Sequence, residues 1–297
     1  MTKRASVIRV AAAIAALGAA VALQVARDAR YPRAAGEERA ILYVRSGDAL
    51  RRIALAFDAL AADVYWIRAI QHYGGDRLAK DRQRKYALLY PLLDITTTLD
   101  PHFNIAYRFG AIFLSEAYPG GPGRPDQAIA LLRKGISVQP AKWQYYHDIG
   151  FVYYWQLRDM EAAADWFRRA AAQPDAPNWL EPLAATILIE GGDRASARFL
   201  LQQISKSEEK WLQRMAVRGL MQVDALDAIE QLQALVHRFP PPAGERYSWH
   251  ALVQRRVLRG VPADPAGTPF ELDPVTGTVS VSTGSELYPL PAPRKLR

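Results

Sequence analysis

Proline ends helical segments in this chain at a nearly constant interval, and that interval permits few architectures. Pro101 and Pro140 lie 39 residues apart, Pro140 and Pro174 lie 34 apart, and Pro174 and Pro240 lie 66 apart, or twice 33. A proline inside a helix removes a backbone hydrogen bond and clashes with the preceding turn, so helices stop beside it. Between these stops, apolar residues recur at three- and four-residue steps, the period of one helical face. A unit of this length holds two short helices, and such a pair cannot bury its apolar face alone. Successive pairs must therefore stack. The prediction is an all-α chain of stacked antiparallel helix pairs, which offers a surface for holding other molecules.

Individual segments follow from local signals. Ser46 reads as an N-cap. After it, Leu50, Ile53, Phe57, Leu60, Val64, Ile67 and Ile70 fall on one helical face, and Gly74-Gly75 ends the run. Further helices are expected at 86–99, 103–117 and 126–139, two within 142–172, and then at 179–190, 194–205, 208–222, 224–238 and 247–259. Residues 118–125 (YPGGPGRP) form a loop by composition. Toward the end, residues 270–272 and 278–281 flank Asp273-Pro274-Val275-Thr276-Gly277, which predicts a small β-hairpin. The four expected regions are 1–30, 31–45 (a linker), 46–240 (the repeats) and 241–297 (a helix and a Pro/Gly-rich tail).

Two pairs show their construction in detail. Crossing helices need small residues at the contact, and Gly110 with Ala128, and Gly150 with Ala163, supply them. Large apolar residues surround these: Phe109, Phe113 and Leu132 in one pair, and Ile149, Tyr153 and Phe167 in the next. On these residues the chain resembles the tetratricopeptide repeat family, best over 103–174 and more loosely over 179–240, where Ala185, Gly192-Asp193, Ala197 and Leu201 carry it. Two departures are Gly135, where the family has alanine, and one extra residue in the turn at 157–159.

The resemblance implies a right-handed superhelical stack whose first helices line a concave, partner-binding face. It maps that face onto Asn104, Tyr107, Ala111 and Leu114, then Gln144, His147, Phe151, Tyr154 and Trp155. Aromatic residues there suit an apolar or extended peptide segment; core packing is the competing role for the same side chains. Basic clamps for a peptide carboxylate are absent from these positions. Residues 260–270 also resemble the DPWGNPY stretch of type II secretion major pseudopilins, with Ala266 in place of the tryptophan. That would suit a protein working near a pilus or secretion machine.

The ends of the chain carry separate information. Residues 10–26 are apolar apart from Gln24 and follow three basic residues, Lys3, Arg4 and Arg9. As a helix this stretch spans about 25 Å, near the lower limit for a bilayer core. It reads as a signal anchor in a bacterial inner membrane with the bulk of the chain periplasmic. The alternative is a signal peptide cleaved after Ala20-Val21-Ala22.

The net charge of +8 divides into +5 within residues 1–33 and +3 from Arg294, Lys295 and Arg297, so residues 34–293 are neutral. A nucleic-acid binder needs its basic excess on the folded face that meets phosphate, so nucleic acid is a poor partner. An anionic-surface or nucleic-acid binder acting through its basic ends stays as an alternative.

Catalytic motifs are missing. None of His72, His102, His147, His237 and His250 has a partner at metal-ligand spacing, and there is no cysteine, no G-x-S-x-G elbow and no P-loop. Asp94, Asp100, Asp148 and Asp159 sit near helix ends or on faces, where capping or solvation is the usual role. The reading is a non-enzymatic scaffold with no metal or cofactor. An enzyme or small-ligand protein with a helical pocket is the alternative of a different class.

Overall fold

The computed structural model describes residues 15–23, 25, 26, 30, 46–79, 85–242 and 244–291. The expected linker at 31–45 and the basic tail at 294–297 lie outside them. The anchor segment at 10–26 does so in part, and its described residues are helical and exposed. No helix among the described residues is long and apolar enough to cross a membrane.

From residue 46 onward the described chain is mostly helical, with one two-stranded sheet near its end. In order the helices are α1 (Gly47–Ile53), α2 (Asp58–Leu78), α3 (Leu89–Leu99), α4 (Asn104–Ser115), α5 (Pro125–Val138) and α6 (Trp143–Val152). Then come α7 (Met160–Ala171), α8 (Leu180–Glu190), α9 (Arg194–Ile204), α10 (Lys210–Arg238) and α11 (Trp249–Gln254). From α2 to α10 each helix packs on its neighbours in the chain, and α4 also touches α6. This is the sequential pairing that the proline interval requires. Ser46, Asp159 and Asp193 cap α1, α7 and α9, their side chains accepting from the backbone N–H groups of Ala49, Ala162 and Ser196.

Three apolar cores follow one another along the stack. The first joins α2 to α6 through Leu89, Leu93, Tyr107, Leu131 and Tyr145. The second joins α7 to α10 through Phe167, Leu180, Ile187, Leu201 and Val223. Tyr146 and Tyr153 on the α6 side touch both. The small residues stand where close approach demands them. A Cβ at Gly110 would meet Leu93 and Leu131 at 2.9 Å, and one at Gly150 would meet the Phe167 ring at 3.1 Å. At Gly135 the rings of Tyr145 and Tyr107 would lie 3.0 and 3.1 Å from an added Cβ.

The structure corrects two readings of the N-terminal repeats and the array's end. The run after Ser46 is not one helix. Leu55 and Ala56 take left-handed backbone angles that break it into α1 and α2, and Gly74-Gly75 lie inside α2. Moreover, apart from Leu50, which packs on the first core, the apolar face read from the sequence points outward. The packed face is Ala62, Tyr65, Ala69, His72 and Tyr73. Both sets have helical spacing; the set with alanines lets α3 approach, and Tyr73 stacks on Phe113 with ring centroids 4.3 Å apart.

The second correction concerns residues 208–238, which form one 29-residue helix, α10, instead of two. No glycine or proline occurs between Lys210 and Arg238 except Gly219, where the helix closely meets Leu201. The interval from Pro174 to Pro240 therefore holds one helix pair and one long helix.

That long helix carries the end of the chain. The hairpin forms where expected: β1 (Glu271–Leu272) pairs antiparallel with β2 (Val279–Ser280). Asp273 closes its turn by accepting from Val275 N and Thr276 N, and Gly277 supplies a left-handed residue. Two glutamines of α10 hold the appendage. The Gln233 amide donates to Gly277 O and accepts from Val279 N, and Gln222 donates to Leu287 O and Pro289 O. The expected helix at 247–259 is shorter, ending where Arg256 turns left-handed. The third core, with Trp249, Phe270, Val281 and Leu287, is built on α10.

Candidate functional site

A groove of about 440 Å³ runs between α4 and α6. Arg108, Ala111, Ile112 and Ser115 recur at helical spacing along α4 and form one wall. Asp148, Phe151, Val152 and Trp155 do the same along α6 and its extension. Ala111 and Val152 are buried, so the floor is apolar. Phe151 and Trp155 remain 47% and 43% exposed, which leaves aromatic area for a ligand to cover. Their ring centroids are 6.2 Å apart.

The segment after α6 shapes this wall. It forms a π-helical turn, Tyr153–Leu157, closed by Arg158 in a left-handed conformation. Trp155 keeps to the groove side, with Arg158 over its ring at 5.9 Å. Tyr154 turns the other way and donates to Glu190 Oε2 at 2.7 Å.

A polar cluster borders the aromatic wall. Arg108 donates to both carboxylate oxygens of Asp148, at 2.6 and 3.2 Å. The Asp148 hydrogen bond raises the Arg108 pKa above its ordinary value, outweighing burial. Nδ1 of His147 lies 2.9 Å from Asp148 Oδ1. The His147 ring is boxed by Trp143, Phe151, Phe167 and Trp179, all with centroids within 6.0 Å. A histidine so held is positioned by packing, and Asp148 fixes its rotation. Ser115, the groove's hydroxyl, donates to Ile112 O of its own helix. Among the described residues no cluster of His, Asp and Glu could hold a metal.

The structure brings together Ala111, His147, Phe151 and Trp155 of the residues mapped to the concave face. It sends the others elsewhere. Tyr107 and Leu114 are fully buried; burial pushes the Tyr107 hydroxyl up to about 12, and it donates to Thr97 O. Asn104 is a structural pin that accepts from Tyr145 Oη and Gln139 Nε2. Gln144 is half-buried and off the groove, and Tyr154 is tied to Glu190. On α4 the exposed face lies about one residue further round, at Arg108 and Ile112. The stripe Ile105, Phe109, Ile112 signals it in the sequence and competes with Tyr107, Ala111, Leu114 at equal helical spacing.

Glu116 ends the groove and locks the 118–125 loop. Its carboxylate accepts from the Tyr73 hydroxyl and from Arg77 Nη1, while Tyr86 Oη donates to Pro119 O and Gly120 O. Burial opposes ionisation of Glu116, but the Tyr73 and Arg77 hydrogen bonds prevail and hold its pKa below the ordinary value. A carboxyl with a depressed folded pKa adds stability above its unfolded value and loses it as pH falls through the folded one. Glu116→Gln should therefore lower the melting temperature near neutral pH and flatten the acid side of the stability profile below the normal glutamate range. Thermal melts of both proteins from pH 7 to pH 3 measure this; parallel profiles would mean that Glu116 is not linked to folding.

Compared with known proteins, the chain matches no family model, no curated protein and no solved structure.

Proposed function

We propose that this protein is a non-enzymatic, membrane-anchored scaffold whose helical stack, a right-handed superhelix of tetratricopeptide type, holds an apolar or extended segment of a protein partner. The observation that carries the reading is the α4–α6 groove, where exposed Ile112, Phe151 and Trp155 stand over an apolar floor. Partly exposed aromatics beside a polar rim are the usual anchors of protein interfaces. Arg108 is engaged by Asp148, which agrees with a segment recognised by side-chain burial more than by a terminal carboxylate. The apolar stretch at 10–26 supports a single-pass anchor in the inner membrane with the stack in the periplasm. A role in envelope assembly, at a pilus or secretion machine, rests on the sequence of residues 260–270.

In-cell photo-crosslinking from Gln156, at the groove rim, followed by mass spectrometry, tests this. The expected product is a membrane-associated protein crosslinked through one contiguous segment. Recovery of no protein from Gln156 would overturn the reading. The Arg108–Asp148–His147 cluster favours a second reading, a small-ligand pocket, because the volume lies in the range of ligand sites. A small-molecule adduct in the same experiment would select it.

A further inference from the structure

Residues 286–290 are held to the stack by their backbone. They belong to neither helix nor strand, so their carbonyls need partners from elsewhere. Two side chains of α10, about one helical turn apart, supply them. Arg218 donates through Nε to Glu286 O at 3.1 Å and through Nη2 to Tyr288 O at 3.2 Å. Gln222 Nε2 donates to Leu287 O at 2.9 Å and to Pro289 O at 3.0 Å. One helix face thus reads four consecutive carbonyls.

Backbone carbonyls carry no side-chain identity, so this pair of donors accepts any segment that follows the same path. Identity enters through two leucines three residues apart. Leu287 is buried in the third core, and Leu290 packs, half-buried, against the second and third. Glu286, Tyr288 and Pro289 around them are exposed.

The strap can leave without unthreading the fold. Thr283 and Gly284 before it are exposed, and a Cβ at Gly284 would meet nothing closer than Ser282 Oγ at 3.7 Å. Ser285 marks where release stops, because its hydroxyl donates to Asp264 Oδ2 in the body of the appendage. The face left behind needs a replacement. Gln222 is buried, and its amide would lose both carbonyls. From α2 to α9 the next helix in the chain covers each helix. After α10 the strap does so in part, since Leu290 reaches the second core.

We propose that the Arg218–Gln222 face of α10 is a second peptide site, separate from the α4–α6 groove, and that residues 286–290 close it as an intramolecular ligand. Its external ligand is a partner segment of the same chemistry, a non-helical stretch with two leucine-like side chains three residues apart. Binding of the partner and release of the strap are one exchange.

The probe is a fluorescein-labelled synthetic peptide of residues 284–291, with a control peptide carrying Leu287→Ser and Leu290→Ser, and the protein is the full chain. A tethered strap competes at a roughly millimolar effective concentration, so weakening it should strengthen the peptide. Leu290→Ser in the chain is expected to raise peptide affinity about tenfold. Adding Gln222→Ala should remove the binding, and the control peptide should not bind. The natural chain has no cysteine, so a dye on Tyr288→Cys reports the strap itself, and excess unlabelled peptide should lower its anisotropy. Phe151→Ala with Trp155→Ala should change neither readout. If the peptide binds no chain and leaves the Tyr288 dye unmoved, while circular dichroism shows intact helices, the strap is a structural fastener and the inference fails. It also fails if the peptide binds the natural and Leu290→Ser chains equally. Loss of peptide binding with Phe151 and Trp155 would overturn it too, placing the peptide in the α4–α6 groove and supporting the reading of that groove. Dye anisotropy that rises with protein concentration without peptide would assign the strap to a second copy and overturn the inference.

Discussion

Phe167→Ala is expected to cost about 3–5 kcal/mol, as truncation of a buried phenylalanine usually does. Phe167 is 1% exposed and lies in the second core. Its ring would lie only 3.1 Å from a Cβ at Gly150, and it packs at a tilt against the His147 ring. The void would open between α6 and α7, where neither glycine nor alanine can reach across. That junction matters more than its size. Each unit of a stacked array is stable through its neighbours, and the α6 region touches both the first and second cores. Against a total stability of roughly 5–15 kcal/mol, the loss should lower the melting temperature by about 10 °C. It should also separate unfolding of the two halves. Urea titrations followed by far-ultraviolet circular dichroism and by tryptophan fluorescence would then give two midpoints where the natural chain gives closer ones. The exposed Phe199→Ala should stay within about 0.5 kcal/mol of the natural chain. A Phe167→Ala cost below that of ordinary surface changes would mean that α6 and α7 are not packed as described.

What the sequence revealed depended on whether one physical signal acted alone. Helix ends at Pro101, Pro140 and Pro174 were readable because proline cannot continue a helix whatever surrounds it. The hairpin at Asp273–Gly277 was readable because its turn residues supply their own hydrogen bonds and a left-handed backbone. Faces were harder. On α2, Leu60, Val64 and Ile67 outrank Ala62, Tyr65 and Ala69 in hydrophobicity, yet the smaller residues are packed, because helix approach rewards size and shape as well as transfer energy. On α4 the same competition moved the exposed face from Tyr107 to Arg108. Arg108 and Asp148 lie 40 residues apart and meet only when α4 and α6 are side by side; no local pattern announces such a pair. The expected break near residue 223 failed for another reason. It came from the repeat length alone, with no glycine, proline or cap to enforce it.

Phe151→Ala combined with Trp155→Ala should abolish capture of the groove's partner while leaving the fold intact. Both side chains are nearly half exposed, so truncation removes little core and should shift the melting temperature by only a few degrees. Buried aromatic anchors at interfaces each carry about 2 kcal/mol or more, and two together correspond to a loss of roughly 1,000-fold in affinity. The two rings also touch each other and, through Phe151, the His147 box, so the single variants should sum to something different from the double. Crosslinking yield from Gln156 in cells reads the effect, with circular dichroism confirming the helices. Asp148→Asn separates the rim from the wall. It loses the charge pairing with Arg108 but keeps the aromatic surface, so a partner held by side-chain burial should tolerate it better than the double variant. If Asp148→Asn removes capture and the aromatic variant does not, the groove recognises a polar ligand, and the small-ligand reading replaces the peptide one.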